Sequence, residues 1–334
     1  MYTADPSLAA FVQSLPKTET HLHLEGSCPL DVLDRYAPKL FGKVPYMWDD
    51  AFRYTSFTHF TELFAQVAMA VFKTPEAFNE CAKGVFTKCA AQNVRYVECS
   101  FHVGVLNQPG MHGPEVIDAI LEAAPDGMVV RVFVGMRHNS YDLETKPIID
   151  DCVHWPNLTG VDLHGPEDLP LEAWTADIWR RAAEQGKYLK AHAGEFMPAS
   201  FVGRCVEELG AQRIQHGVRS IEDPAVVELL KSRGVGLDVC PISNLKLQVE
   251  GVPTMASHPI RQLFDAGVTC TINTDDTLMF GNELNEEYYA LAQDLNFSRA
   301  ELAQIALNGF DLSLWDGAEK ITCQQELGSI IRAN

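Results

Sequence analysis

Eight short β-type runs recur along the chain, at intervals wide enough to hold helices between them. They lie at Glu19–Leu24, Val94–Ser100, Val129–Gly135, Gly160–His164, Tyr188–Ala193, Arg213–Gly217, Gly236–Ile242 and Thr269–Asp275. The later intervals carry helical periodicity: Leu171–Gly186 sets Trp174, Ile178 and Ala182 on one face. That stretch, Ala199–Gly210, Asp223–Gly234 and Pro259–Gly267 all end at glycine, a common helix stop. Strands alternating with helices imply a parallel sheet. Eight such units in 334 residues, somewhat more than the ~250 typical of the fold, predict a closed (β/α)₈ TIM barrel. An open doubly wound sheet is the alternative, but no Gly-rich phosphate fingerprint follows the first run. No linker or repeat divides the chain, so residues 1–334 are read as one domain.

The surplus length is concentrated between the first two runs, with helical patterns at Pro29–Leu40, Phe57–Phe72 and Pro75–Gln92. A barrel needs one helix there. The excess, about 29–92, is expected over the C-terminal mouth, where βα loops build active sites. The aromatic-rich part, Trp48–Phe72, reads as an apolar lid over a substrate, with Phe57 and Phe60 as candidate contacts; extra packing helices are the plainer reading.

Composition narrows the function. A formal net charge of −19 argues against a surface that neutralises nucleic-acid phosphates. Nine scattered cysteines without a CxxC pair fit buried free thiols in a reducing, cytoplasmic setting. The opening Met-Tyr-Thr-Ala-Asp-Pro has neither the basic nor the apolar region of a secretory signal. The longest weakly polar stretch, Phe64–Phe72, contains Gln66 and is far shorter than the roughly 20 residues of a membrane span. A cytoplasmic protein with no nucleic-acid or membrane partner is expected.

Side chains alternate along a strand, so His21 and His23 of Thr-His-Leu-His share a face, the interior one in a barrel. Two inward imidazoles are poor core fillers unless their nitrogens find partners, and a metal supplies one to each. Run five leads to His192 and Glu195, run six to His216, and run eight to Asp275 and Asp276. Those positions lie where strands reach the catalytic mouth of a barrel. Three histidines and a carboxylate there make a site for a divalent metal with room for water. Imidazole-rich ligation favours zinc, with iron, cobalt and manganese left open. The blander reading of Asp275 and Asp276 is a solvated turn.

These blocks, in order, resemble the adenosine deaminase family of the amidohydrolase superfamily over nearly the whole chain. They are Leu15 to Gly26, Met136-Arg137-His138, Gly160 to Gly165, His192-Ala193-Gly194-Glu195, His216-Gly217, Cys240 to Asn244 and Asn273 to Asp276. The resemblance implies one zinc per chain on His21, His23, His192 and Asp275, and a small-molecule purine substrate. It implies that Glu195 protonates purine N1, that His216 orients the water, that Asp276 bonds N7 and that the Gly165 N–H meets N3. Adenosine or 2′-deoxyadenosine is the expected substrate, converted to the 6-oxo product (inosine) and ammonia.

Glu25 stands where family members that act on adenosine carry Asp, which reaches the ribose 5′-hydroxyl; Glu resembles the adenine deaminases. Gly165, by contrast, is kept as in the nucleoside enzymes. Adenine, or a 5′-modified nucleoside such as aminodeoxyfutalosine, is therefore the alternative substrate, with Glu25 facing whatever N9 carries. A metal-dependent ester or amide hydrolase and a non-catalytic relative are more distant readings. Arg137 and His138 are read as holding carboxylates behind the site or the barrel rim rather than touching substrate. Ser243 and Asn244 suit either a loop cap or a ligand contact, and His59, His112, His154 and His258 read as ordinary surface or hydrogen-bonded histidines.

Overall fold

A computed structural model describes residues 2–333. Eight parallel strands, β1 (Lys17–His23), β2 (Val94–His102), β3 (Val129–Arg137), β4 (Leu158–His164), β5 (Tyr188–Ala193), β6 (Arg213–His216), β7 (Gly236–Val239) and β8 (Cys270–Ile272), pair in sequence order. The ring closes through a parallel bridge between Leu22 and Asp275. Helices pack outside, and the expected (β/α)₈ barrel is present.

Local chemistry explains the boundaries. The helix Pro224–Arg233 opens with Asp223 accepting the Ala225 N–H and a proline in its first turn, and stops at Gly234 in the left-handed region (φ 65°). The seventh run, expected to reach Ile242, ends at Val239. Pro241 has no N–H for the ladder and instead starts a short helix, Pro241–Lys246. The eighth is also shorter than expected, because Asp275 has a positive φ of 66° that an extended strand cannot hold. Between β1 and β2 the helices Leu30–Tyr36, Phe57–Val71 and Pro75–Ala91 fall where periodicity put them.

The apolar core lies between the strands and the helical shell, where Val132, Val134, Val161, Leu163, Ile214, Leu237 and Val239 are buried. The barrel interior is polar. Its lower part holds Glu98, Lys190, Arg213 and Asp238, all 0–3% exposed. Lys190 Nζ reaches Glu98 at 2.5 Å, while Arg213 bridges Glu98 (3.2 Å) and Asp238 (3.3 Å). Thr20 and Thr271 donate hydroxyls to Asp238 Oδ1 at 2.8 and 2.7 Å. Simple alternation from His21 would send Thr20 outward. The β1–β2 register slips between Glu19 and Leu22, a bulge that turns Thr20 inward as well as His21 and His23. All nine cysteines are free and buried. Among the described residues no helix is long and apolar enough to cross a membrane.

Candidate active site

Above the lower charges, β1, β5 and the turn after β8 bring His21, His23, His192 and Asp275 together, with one ligand atom from each within 4.8 Å of the others. His192 Nε2 lies 3.1 Å from both His21 Nε2 and His23 Nε2. Asp275 Oδ1 lies 3.3 and 3.4 Å from the same two nitrogens of His21 and His23.

The outer ring nitrogens fix the tautomers. His21 Nδ1 meets the Asp238 carbonyl at 3.0 Å, and His192 Nδ1 meets the Leu163 carbonyl at 3.0 Å and the Asp162 carboxylate at 3.2 Å. A carbonyl only accepts, so both Nδ1 atoms carry hydrogen, and in the neutral rings that a metal would bind both Nε2 atoms present lone pairs to one another. His23 Nδ1 is engaged by Ser100 Oγ at 2.8 Å, and burial pushes its imidazole down to about 3, so it is neutral. Lone pairs 3.1 Å apart repel unless a cation lies between them. This donor set fits a divalent metal, with its outer partners orienting the ligands.

Burial alone would raise the Asp275 carboxyl, but the His21, His216 and His23 imidazoles outweigh it and hold the group well below the usual range. Ser243 Oγ donates to its second oxygen at 2.7 Å.

His216, which also has a positive φ (61°), is oriented differently. Asn244 Nδ2 donates to His216 Nδ1 at 3.1 Å, so His216 carries its hydrogen on Nε2, toward Glu195 (3.5 Å) and Asp275 (3.9 Å). That hydrogen makes it a donor into the site rather than a ligand. Asn244 is held in turn by His258, a buried histidine.

Two carboxyls complete the floor. Burial, then the charges of Asp275 and Glu167, push Glu195 well above the usual carboxylate range. Burial and Asp275 do the same to Asp276. Glu195 Oε1 and Asp276 Oδ1 are buried without a hydrogen-bond partner among the described residues. Gly26 makes room for Asp276: a Cβ there would lie 1.8 Å from Asp276 Oδ1. Glu195 is positioned by Glu167, whose carboxylate accepts the N–H groups of Glu195, Phe196 and Met197 at 2.7–3.1 Å.

Glu195, His216, Asp276, Gly165, Phe57 and Phe60 all line one cavity of about 510 Å³ at the barrel mouth, together with His23, His192 and Asp275. Glu25 is not among the lining residues. It is 1% exposed, accepts the His102 N–H at 2.8 Å, and is raised to about 7 by burial, opposed by that N–H. Arg137, assigned to the rim from sequence, lines the cavity, as does His164. Neither Asp162 nor Glu167 was singled out from sequence. Asp162 could have been found, because it shares the inward face of β4 with His164.

A model of the adenosine deaminase family matches residues 16–329. An adenine deaminase of Sphingopyxis alaskensis is 32% identical over 322 residues, covering 93% of this chain and 94% of that protein. The crystal structure of an adenine deaminase from Arthrobacter aurescens superposes with a TM-score of 0.83 at 25% identity, covering 96% of this chain and all of that one. An amidohydrolase from Burkholderia ambifaria, solved with bound zinc, shares the fold with a TM-score of 0.83 at 22% identity, covering 100% and 97% of the two chains.

Proposed function

Because the chain belongs to the adenosine deaminase family, we propose that it is a zinc-dependent adenine deaminase, converting adenine and water to hypoxanthine and ammonia. The observation that carries this reading is the meeting, at the barrel mouth, of four side chains that could hold a metal with Glu195 and Asp276, two buried carboxyls with unpartnered oxygens and raised proton affinity. Two things favour adenine over the expected nucleoside. Relatives 29–32% identical to the chain are named adenine deaminases, and Glu25 is spent on a backbone N–H instead of facing a ribose.

In this reading His21, His23, His192 and Asp275 hold zinc. When bound, zinc supplies a nucleophilic water at neutral pH by lowering that water's pKa toward 7. Glu195 delivers its proton to N1, which gives the electrons displaced from C6 a place to go as the C6–O bond forms and ring aromaticity is lost. The Nε2–H of His216 orients the incoming oxygen. Asp276, kept neutral, donates its O–H to N7, and the Gly165 N–H donates to N3. The C6–N bond then breaks; of the two protons given up by the water, one leaves with the amino group as ammonia and the other restores Glu195. Phe57 and Phe60, on the helix Phe57–Val71, cover the ring as a lid and exclude bulk water.

The test is ammonia release by zinc-loaded protein supplied with adenine, adenosine or 2′-deoxyadenosine. Hypoxanthine and ammonia in equal amounts from adenine are expected. Turnover of adenosine without adenine would restore the nucleoside reading, and no ammonia from any of the three would overturn the assignment.

A further inference from the structure

Behind the cavity wall, a row of hydrogen bonds runs from a main-chain N–H to a ring that faces the site. Ile260 N lies 3.2 Å from His258 Nδ1, His258 Nε2 lies 3.1 Å from Asn244 Oδ1, and Asn244 Nδ2 lies 3.1 Å from His216 Nδ1. His258 and Asn244 are 1% and 0% exposed, so both are closed to bulk water. Ile260 opens the helix Ile260–Asp265, and its N–H has no carbonyl partner within that helix.

The direction of the row follows from its first member. A main-chain N–H only donates, so His258 Nδ1 accepts. Burial pushes this imidazole down to about 3, so the ring is neutral and its single hydrogen sits on Nε2. Asn244 must then turn its carbonyl to His258 and its amide to His216. His216 Nδ1 is left to accept, and the hydrogen of that ring is sent to Nε2, toward Glu195 and Asp275. The reverse order fails at its first step. With the Asn244 amide turned round, His258 would carry its hydrogen on Nδ1, pointed at the Ile260 N–H 3.2 Å away.

We propose that His258 is a positioning residue: through Asn244 it holds His216 in the one tautomer that donates into the site. The inference rests on the proposed deamination, in which that hydrogen orients the incoming oxygen. A neutral imidazole released from the row has its hydrogen on either nitrogen. The other tautomer turns a lone pair toward Glu195 and Asp275, where the reaction needs a donor. His258 is not among the residues that line the cavity, so its effect passes through Asn244 alone.

The experiment uses zinc-loaded full-length protein labelled with 15N-histidine, together with the kinetics of ammonia release from adenine. In the parent, NMR should show His216 with hydrogen on Nε2 and none on Nδ1, its resonances being assigned by their loss in His216→Gln. His258→Phe keeps a ring but removes the donor to Asn244. It should bring the other His216 tautomer into the spectrum and lower kcat about 10-fold, the scale of one hydrogen bond, with KM and zinc content near the parent's. His258→Gln, whose amide accepts from Ile260 and donates to Asn244, should recover most of that loss. Asn244→Leu should change the His216 spectrum in the same way, and adding His258→Phe to it should cost nothing further, because the two act in series. A parent spectrum with the hydrogen on Nδ1 overturns the inference. So does a His258→Phe protein that loses turnover with the His216 resonances unmoved, or whose loss adds in full to that of Asn244→Leu; either result makes His258 a packing residue. If His258→Phe does not fold, the His216 spectrum of Asn244→Leu decides between the same two answers. If the parent releases no ammonia, the functional reading fails, and the His216 tautomer in parent and variants still decides this one.

Discussion

In the lower part of the barrel interior Lys190 and Arg213 face Glu98 and Asp238; in the upper part three histidines face Asp275. Both sets are buried, yet they meet the cost of burial in opposite ways. The lower set brings two cations and two anions, and its hydroxyl and carbonyl neighbours take up further donors and acceptors. The upper set brings ring nitrogens facing one another at 3.1 Å, and the Nδ1 hydrogens of His21 and His192 are committed outward to Asp238, Leu163 and Asp162. The lower set is electrically complete as folded. The upper set is complete only around a cation. Asp238 joins the two, since its carboxylate is held by Arg213 below while its carbonyl orients His21 above.

This contrast can be broken at either level. The largest effect is expected from His192→Ala, which removes the nitrogen shared by both short contacts: zinc content should fall far below one per chain and ammonia release should vanish. Metal analysis of the purified variant checks this, and undiminished zinc would reject the ligand set. Glu195→Gln should leave zinc in place while lowering kcat by about 10²–10⁴-fold, because the amide cannot deliver the N1 proton. Activity within a few-fold of the parent would place the acid elsewhere. Arg213→Met strikes the lower set and leaves Glu98 and Asp238 facing Lys190 alone. A loss of about 3–5 kcal/mol in unfolding free energy is expected from denaturant titration, since removing one partner strands buried charge. Ser243→Ala should have the smallest effect, a 10- to 100-fold weaker zinc affinity through a less constrained Asp275, measured by competition with a chelator. An effect on stability with none on zinc would make Ser243 a packing residue.

What the sequence could disclose follows from range. β5 falls at Tyr188–Ala193, as its run of alternating residues indicates, and the four proposed ligands are visible because strand ends converge in any closed barrel. The β1 bulge is not visible, because it depends on register against β2 and not on the residues of β1. Nor was the bonding of Glu25, whose partner is a backbone N–H 77 positions away. Arg137 looked like a rim residue because nothing local shows that it lines the cavity. His258 lacked any strand-end signal, yet it supports Asn244 and through it His216.

The closure of the barrel between Leu22 and Asp275 also sets a clock. His21 and His23 are made early, and Asp275 only after some 250 further residues. At roughly 5–20 residues per second, a ribosome leaves the first pair waiting about 13–50 s for its last partner. During that interval the nascent chain offers two nitrogens and, once His192 is made, three, without the carboxylate that completes the set. The complete set arises in one event, when the eighth strand docks beside the first and its Asp275 N–H finds the His21 carbonyl at 3.1 Å. In such an architecture the full set of four ligand side chains comes together only when the ring closes.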